Sequence, residues 1–227
     1  MSPLEIEALL LSLQVALTAI GVSLPLAIFI AWLLARKTFP GKSVLDGIVH
    51  LPLILPPVVV GYVLLVTLGR NGTLGRWLFE TFDITLAFTW KGAAVAAAVM
   101  AFPLMVRAIR LSLEAVDAGL EDAARTLGAS PVRVFATVTL PLASPGVLSG
   151  AVLGFARALG EFGATITFVS NIPGETRTLP IALYTLTQIP GGEDGAFRLV
   201  LISIAVAFAA LLVSEIMARR LKARLGT

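Results

Sequence analysis

Residues 9–34 form a run of 26 residues with no charged side chain. About 20 residues of helix cross the hydrocarbon core of a bilayer. The run is therefore read as a membrane span, with length to spare for tilt or for an end that projects beyond the lipid. Composition leads to the same class. Of 227 residues, 57% are hydrophobic and only 14% are charged, with a mean hydropathy of +0.94. These values exclude a soluble domain. Lipid offers no partner for free backbone N–H and C=O groups, and a helix satisfies them within the segment. Runs this long predict helices. The expected fold class is all-α integral membrane, one domain over 9–220.

Four further spans are expected, at 48–68, 90–110, 141–164 and 197–217. The third has a charge-free centre at 92–106, which Arg107 and Arg110 extend into the interface. The fifth carries only Arg198 near one end and Glu215 near the other. Residues 179–189 are apolar but too short to span. Pro180 and Pro190 bracket them, and they read as a re-entrant or interfacial piece.

Five spans put the termini on opposite sides. If the loops after the first, third and fifth spans share a side, that side holds Arg36, Lys37, Lys42, Arg107, Arg110, Arg125, Arg133, Arg219, Arg220, Lys222 and Arg224. The other holds Arg70, Arg76, Lys91, Arg177 and Arg198. Eleven against five places the first side in the cytoplasm. The N-terminus is then outside and the C-terminus inside. The N-terminus lacks the basic start of a cleaved signal peptide, so the first span is expected to stay as a signal anchor. The pI of about 9.7 reflects this bias and not nucleic-acid binding.

The loop at 112–140 is a polar island on the cytoplasmic side. Asp117 is placed to cap a helix, and Leu120, Ala123, Ala124 and Leu127 give that helix one small apolar face. Gly128 suits the left-handed conformation that ends a helix. Ser130 then caps a second helix with Pro131 at its first position, and Leu140-Pro141 closes the unit. Two short helices at a fixed bend, small and apolar with a charged fringe, suit docking into another protein's groove.

Catalytic chemistry finds no footing. There is no cysteine, and His50, the single histidine, reads as a polar residue near a membrane boundary. No metal site is expected. Gly41-Lys42-Ser43 resembles the end of a phosphate-binding loop, but Arg36 stands where the first glycine is required, and the segment leaves a membrane helix, not a strand. The chain is expected to be no enzyme and to bind no cofactor.

Polar and helix-breaking residues inside the spans mark a candidate translocation pathway: Pro56, Pro57, Arg157, Glu161, Thr165 and Thr167. Pro52, Pro56 and Pro57 each remove a helix hydrogen bond, and the freed carbonyls need partners or water. Arg157 and Glu161 stand four apart, on one face of the fourth span. Counted from Pro141 at 1.5 Å per residue, they fall in the outer half of the bilayer. Intramembrane charges face a cavity or a partner, so two readings fit: a contact for a passing anion, or a structural ion pair. Gly146, Gly150 and Gly154 form a small-residue ladder that fits intrachain packing or a dimer contact.

The island resembles the EAA signature of ABC-transporter permeases. Ala123, Ala124, Gly128, Val138, Leu140 and Pro141 stand at the matching positions. Strict spacing puts Asp122 where the family usually has Glu, and Glu121 lies one residue earlier, about 100° around the helix. The resemblance implies that Glu121, Asp122, Ala123, Ala124, Gly128, Leu140 and Pro141 couple the chain to an ATPase. Residues 157–164 and 171–178, and the compact five-span form, are similar to the molybdate permease branch. Membership there implies the type I importer fold and a homodimer. It also implies two cytoplasmic ATPase subunits using ATP and Mg, a periplasmic oxyanion-binding protein, and a place in the bacterial inner membrane. Sulfate and tungstate permeases use the same machinery. A secondary anion transporter would need neither ATPase nor docking loop.

Overall fold

The computed structural model describes residues 2–225, which contain helices and no strand. The helices are α1 (Pro3–Arg36), α2 (Lys42–Ile54), α3 (Pro57–Leu68), α4 (Thr73–Phe82), α5 (Trp90–Glu114), α6 (Ala118–Thr126), α7 (Pro131–Val134), α8 (Leu140–Leu159), α9 (Gly163–Val169), α10 (Leu179–Thr187) and α11 (Glu193–Leu225). The side chains of Lys222 and Arg224, counted above, lie outside the described ones.

Among the described residues, α1, α5, the continuous run Pro131–Leu159 and α11 are long and apolar enough to cross a membrane. A fifth crossing exists if α2 and α3 together form one broken span. α1 opens on a capping box: the Ser2 hydroxyl accepts from Glu5 N–H, and the Glu5 carboxylate accepts from Ser2 N–H.

Three boundaries differ from the sequence expectation. The expected second span, 48–68, is not one helix, because the chain turns by 114° between α2 and α3. Consecutive Pro56 and Pro57 cause the turn. Each disfavours helical geometry in the residue before it, and Leu55 and Pro56 sit at ψ 142° and 134°. The expected fourth span, 141–164, breaks after Leu159 and resumes at Gly163. At its other end, α7 runs through one π-helical turn, Phe135–Thr139, into α8 without a gap. The second docking helix is thus the head of the membrane helix and not a separate short piece.

α5 is the centre of the packing, with α1 and α8 against it. The glycine ladder faces α5 within the chain. A Cβ on Gly146 would lie 2.1 Å from the Ser112 Cβ, one on Gly150 3.0 Å from Ile109 Cγ1, and one on Gly154 2.7 Å from Met105 Cγ. This is close helix approach of the kind small residues permit in lipid. The two helices run antiparallel in this register.

That register sets the level of Arg157 against α5. Gly150 packs between Met105 and Ile109, at the level of Arg107, where the charge-free part of α5 ends. Arg157 lies about 10 Å further along α8 from Gly150, beside the charge-free part of α5.

α10 is a short helix, as its length predicted, docked on α1 and α11. Its first N–H, on Leu179, donates to the buried Ser12 Oγ at 2.6 Å, and Ala8, Leu179, Ala182 and Leu199 form a small satellite core. α11 exposes Phe197, Ile204, Phe208 and Leu211, a face suited to lipid.

Candidate functional site

The polar island folds as a capped helix, a turn and a second capped helix. Asp117 Oδ1 accepts from Gly119 N–H at 2.8 Å and starts α6. Gly128 ends it at φ +86°. Its N–H donates to Arg125 O at 2.9 Å, and Ala129 N–H donates to Ala124 O at 3.1 Å. This paired arrangement is the Schellman motif. A Cβ at Gly128 would meet nothing within 4 Å, so only the backbone angle demands glycine there. Ser130 Oγ then accepts from Arg133 N–H at 3.4 Å to start α7, with Pro131 at its first position.

The two acidic residues of the signature point in opposite directions. Glu121 is buried, 6% exposed. It accepts from Thr139 Oγ1 at 2.7 Å and from Arg36 Nη2 at 3.0 Å, and Arg125 Nη2 lies 3.6 Å away. Arg36 Nη2 also donates to Val116 O at 3.0 Å. One carboxylate thus joins the end of α1, the docking helix α6 and the π-helical turn leading into α8. Asp122 is exposed and, among the described residues, pairs with Arg125 alone, at 2.6 Å. The family's acidic position by strict spacing is therefore the one that faces outward.

Leu120, Ala123 and Leu127 are exposed, Leu127 to 89%, while Ala124 is half-buried. Val132, on α7, adds a further exposed apolar side chain at 78%. Pro141 is exposed and Leu140 half-buried, at the foot of α8. The result is an apolar knob ringed by Asp122, Arg125 and Arg133. Sequence reasoning missed Arg36, Thr139 and Val132. A carboxylate one residue, about 100°, away from the signature's acidic position was the available signal that Glu121 needs buried partners.

The candidate pathway residues meet, in part, where α3 packs on α9. A Cβ on Gly163 would lie 2.8 Å from Pro57 Cβ, and one on Gly61 would lie 2.5 Å from Ala164 O and 2.8 Å from Thr167 Cβ. Glu161, 3% exposed, stands past the end of α8 and caps α9, its Oε1 accepting from Ala164 N–H at 2.8 Å. Arg157 Nη1 lies 2.5 Å from Glu161 Oε2, without hydrogen-bond alignment at that oxygen. The Thr167 hydroxyl is half-buried and donates to Gly163 O at 2.8 Å. Pro56 is exposed, and Thr165, 1% exposed, faces the core. The structure thus groups Pro57, Glu161 and Thr167 at one junction with Arg157 beside it, and it leaves Thr165 packed away from any open surface.

Residues 23–226 match the family model described as binding-protein-dependent transport system inner membrane component. The molybdenum transport system permease protein ModB of Escherichia coli (strain K12) is 65% identical over 222 residues, 98% of this chain and 97% of that protein. Its counterpart in Haemophilus influenzae is 60% identical over 223 residues, again 98% and 97%. The sulfate transport system permease protein CysT of Escherichia coli (strain K12) is 40% identical over 161 residues, 71% of this chain and 58% of that one. Among solved structures, a bacterial alginate importer superposes with TM-score 0.77 at 18% identity over 97% of this chain and 80% of that chain. The MetNI methionine ABC transporter does so with TM-score 0.70 at 15% identity, over 96% and 94%. The chain belongs to the family of inner-membrane components of binding-protein-dependent transport systems.

Proposed function

We propose that this chain is the permease subunit of an ATP-driven importer that carries molybdate across the bacterial inner membrane by alternating access. The observation that carries the reading is the 65% identity to a molybdenum permease along essentially the whole of both chains. The sulfate permease is less similar and matched over a smaller part of its length. The docking knob supports the same reading, since it suits a cytoplasmic ATPase and has no use in a secondary transporter.

In this reading two copies of the chain form the pathway. Two ATPase subunits seat the α6–α7 knobs, and a periplasmic binding protein delivers the oxyanion. The N-terminus is outside, and ATP and Mg belong to the ATPase. The chain's own contribution is mechanical. ATP-driven closure of the ATPases moves α6, and Glu121 ties α6 to both α1 and α8. Because α7 continues into α8, the motion enters a membrane helix directly and reaches the Arg157–Glu161 pair at its far end. Conformational work passes only through contacts that differ between states.

Reconstituted vesicles test this. The permease, its ATPase and its binding protein are expected to take up molybdate only when ATP and binding protein are both present. Uptake that persists without ATP would replace the reading with secondary transport. Preference for sulfate in competition would replace the ion.

A further inference from the structure

A polar cavity of about 550 Å3 lies between α2 and the last turns of α5, lined by Ser43, Asp46, His50, Arg107, Arg110 and Glu114 among others. It sits at the docking end of the molecule, because α5 leads straight into α6. Its charges are not all neutralised. Arg110 is held by two carboxylates, with Nε donating to Glu114 Oε1 at 2.7 Å and Nη1 to Asp46 Oδ2 at 3.1 Å. Among the described residues, Arg107 has no ion-pair or hydrogen-bond partner, and it is exposed.

The imidazole is oriented. His50 Nδ1 lies 2.9 Å from Asp46 O and 3.1 Å from Asp46 Oδ1. A carbonyl oxygen and an ionised carboxylate only accept, so Nδ1 carries the hydrogen. Nε2 is then bare in the neutral ring and becomes a donor only when the ring takes a second proton. The groups facing the ring are Asp46 on its own helix and Arg107, Arg110 and Glu114 on α5, the helix against which α2 packs. Two arginines and two carboxylates cancel. Protonated His50 leaves one net positive charge, with Arg107 and Nε2–H as the free donors.

We propose that this cavity is an inner-mouth site for a tetrahedral oxyanion dianion, held by Arg107 and by His50 that takes up a proton as the ion arrives. The proposal rests on the reading of the chain as an oxyanion importer and names a station at its cytoplasmic exit. A dianion offers only acceptors, matching an arginine fork and an imidazolium donor. The space takes such an ion with several of its waters. Binding of the ion and protonation of the ring are linked, so each favours the other.

The test uses the whole permease–ATPase complex in neutral-lipid nanodiscs with 15N-histidine, the His50 signal being the one absent from His50→Gln. Saturating molybdate is expected to move the ring's titration midpoint up by about one pH unit, a tenfold coupling. Arg107→Gln is expected to remove most of that movement, and Arg107→Lys to retain part of it in an equally assembled complex. An unchanged midpoint with molybdate, a full shift in Arg107→Gln, or a shift produced only by anionic lipid would each overturn the site. ATP-driven uptake by the same wild-type complex separates the two ideas. Uptake without a midpoint shift removes this site alone. A shift without uptake leaves the site standing and removes the importer.

Discussion

At the scale of single residues, burial separates two carboxylates that are neighbours in sequence. Glu121 satisfies Arg36 and Thr139 inside the fold, and Asp122 meets solvent. Removing one partner of a buried charge pair costs about 3–5 kcal/mol, because the other charge is left without compensation. Exposed pairs contribute about 0–1 kcal/mol. Glu121→Gln is therefore expected to lower thermal stability and loosen the docking helix, while Asp122→Asn keeps stability and weakens ATPase stimulation. Melting curves and ATPase assays on the two assembled variants check this, and equal destabilisation by both would sink it. Arg157 and Glu161 pose the other residue-scale question. A structural pair predicts that Arg157→Met or Glu161→Gln alone is damaging and that the double variant recovers assembly and molybdate uptake together. A pathway arginine predicts a double variant that assembles yet does not transport. An intramembrane charge must face a cavity or a partner, and Arg157 already has a partner in Glu161, so the double variant is what decides between the two. Glu161 also caps α9, so Glu161→Gln, which can still accept at that cap, is the milder of the two single changes.

At the scale of elements, the fixed bend between α6 and α7 is the device that turns docking into motion. Gly128→Val places a β-branched residue at φ +86°, a strain of about 1–3 kcal/mol, in open space where no contact is lost. The permease is expected to insert and dimerise normally, with ATPase stimulation and transport reduced in parallel. Coupled transport at the wild-type rate would show that the turn does not set the lever angle. This element was legible in the sequence because its signals are local: Asp117, Gly128, Ser130 and Pro131 each act on backbone within a few residues. The α2–α3 bend was half legible. The prolines marked it, but its 114° angle depends on what α3 packs against. The continuity of α7 with α8 was not legible, since a π-helical turn has no composition of its own. The level of Arg157 against α5 was not legible either, because it depends on the α5–α8 register, which three glycines set through contacts far away in sequence.

At the scale of the whole molecule, the open question is whether α2 and α3 cross the bilayer together, and the basic residues and the packing give the same answer. If the bent pair only dips in and returns, four spans remain and the termini share a side. One side would then hold Arg107, Arg110, Arg125, Arg133, Arg219, Arg220, Lys222 and Arg224, and the other Arg36, Lys37, Lys42, Arg70, Arg76, Lys91, Arg177 and Arg198. Eight against eight gives no bias, whereas the five-span count is eleven against five. Packing points the same way. Asp46 of α2 meets Arg110 near the docking end of α5. Gly61 of α3 meets α9, and the Val169 side chain of α9 would touch a Cβ on Gly92 at α5's opposite end. α5 is 25 residues long, about 37 Å at 1.5 Å per residue, so the two halves of the bent pair lie toward opposite ends of α5. Reporter fusions are expected to place the N-terminus outside, the C-terminus inside, the 37–41 turn inside and the 69–72 turn outside. The two turns decide the matter independently of the termini. If both lay on one side, the bent pair would be re-entrant, and the docking knob and the C-terminus would no longer share a face with the basic end of α1. That outcome would also break the Arg36–Glu121 pair's place at the membrane's inner boundary, and with it the route by which α6 moves α1.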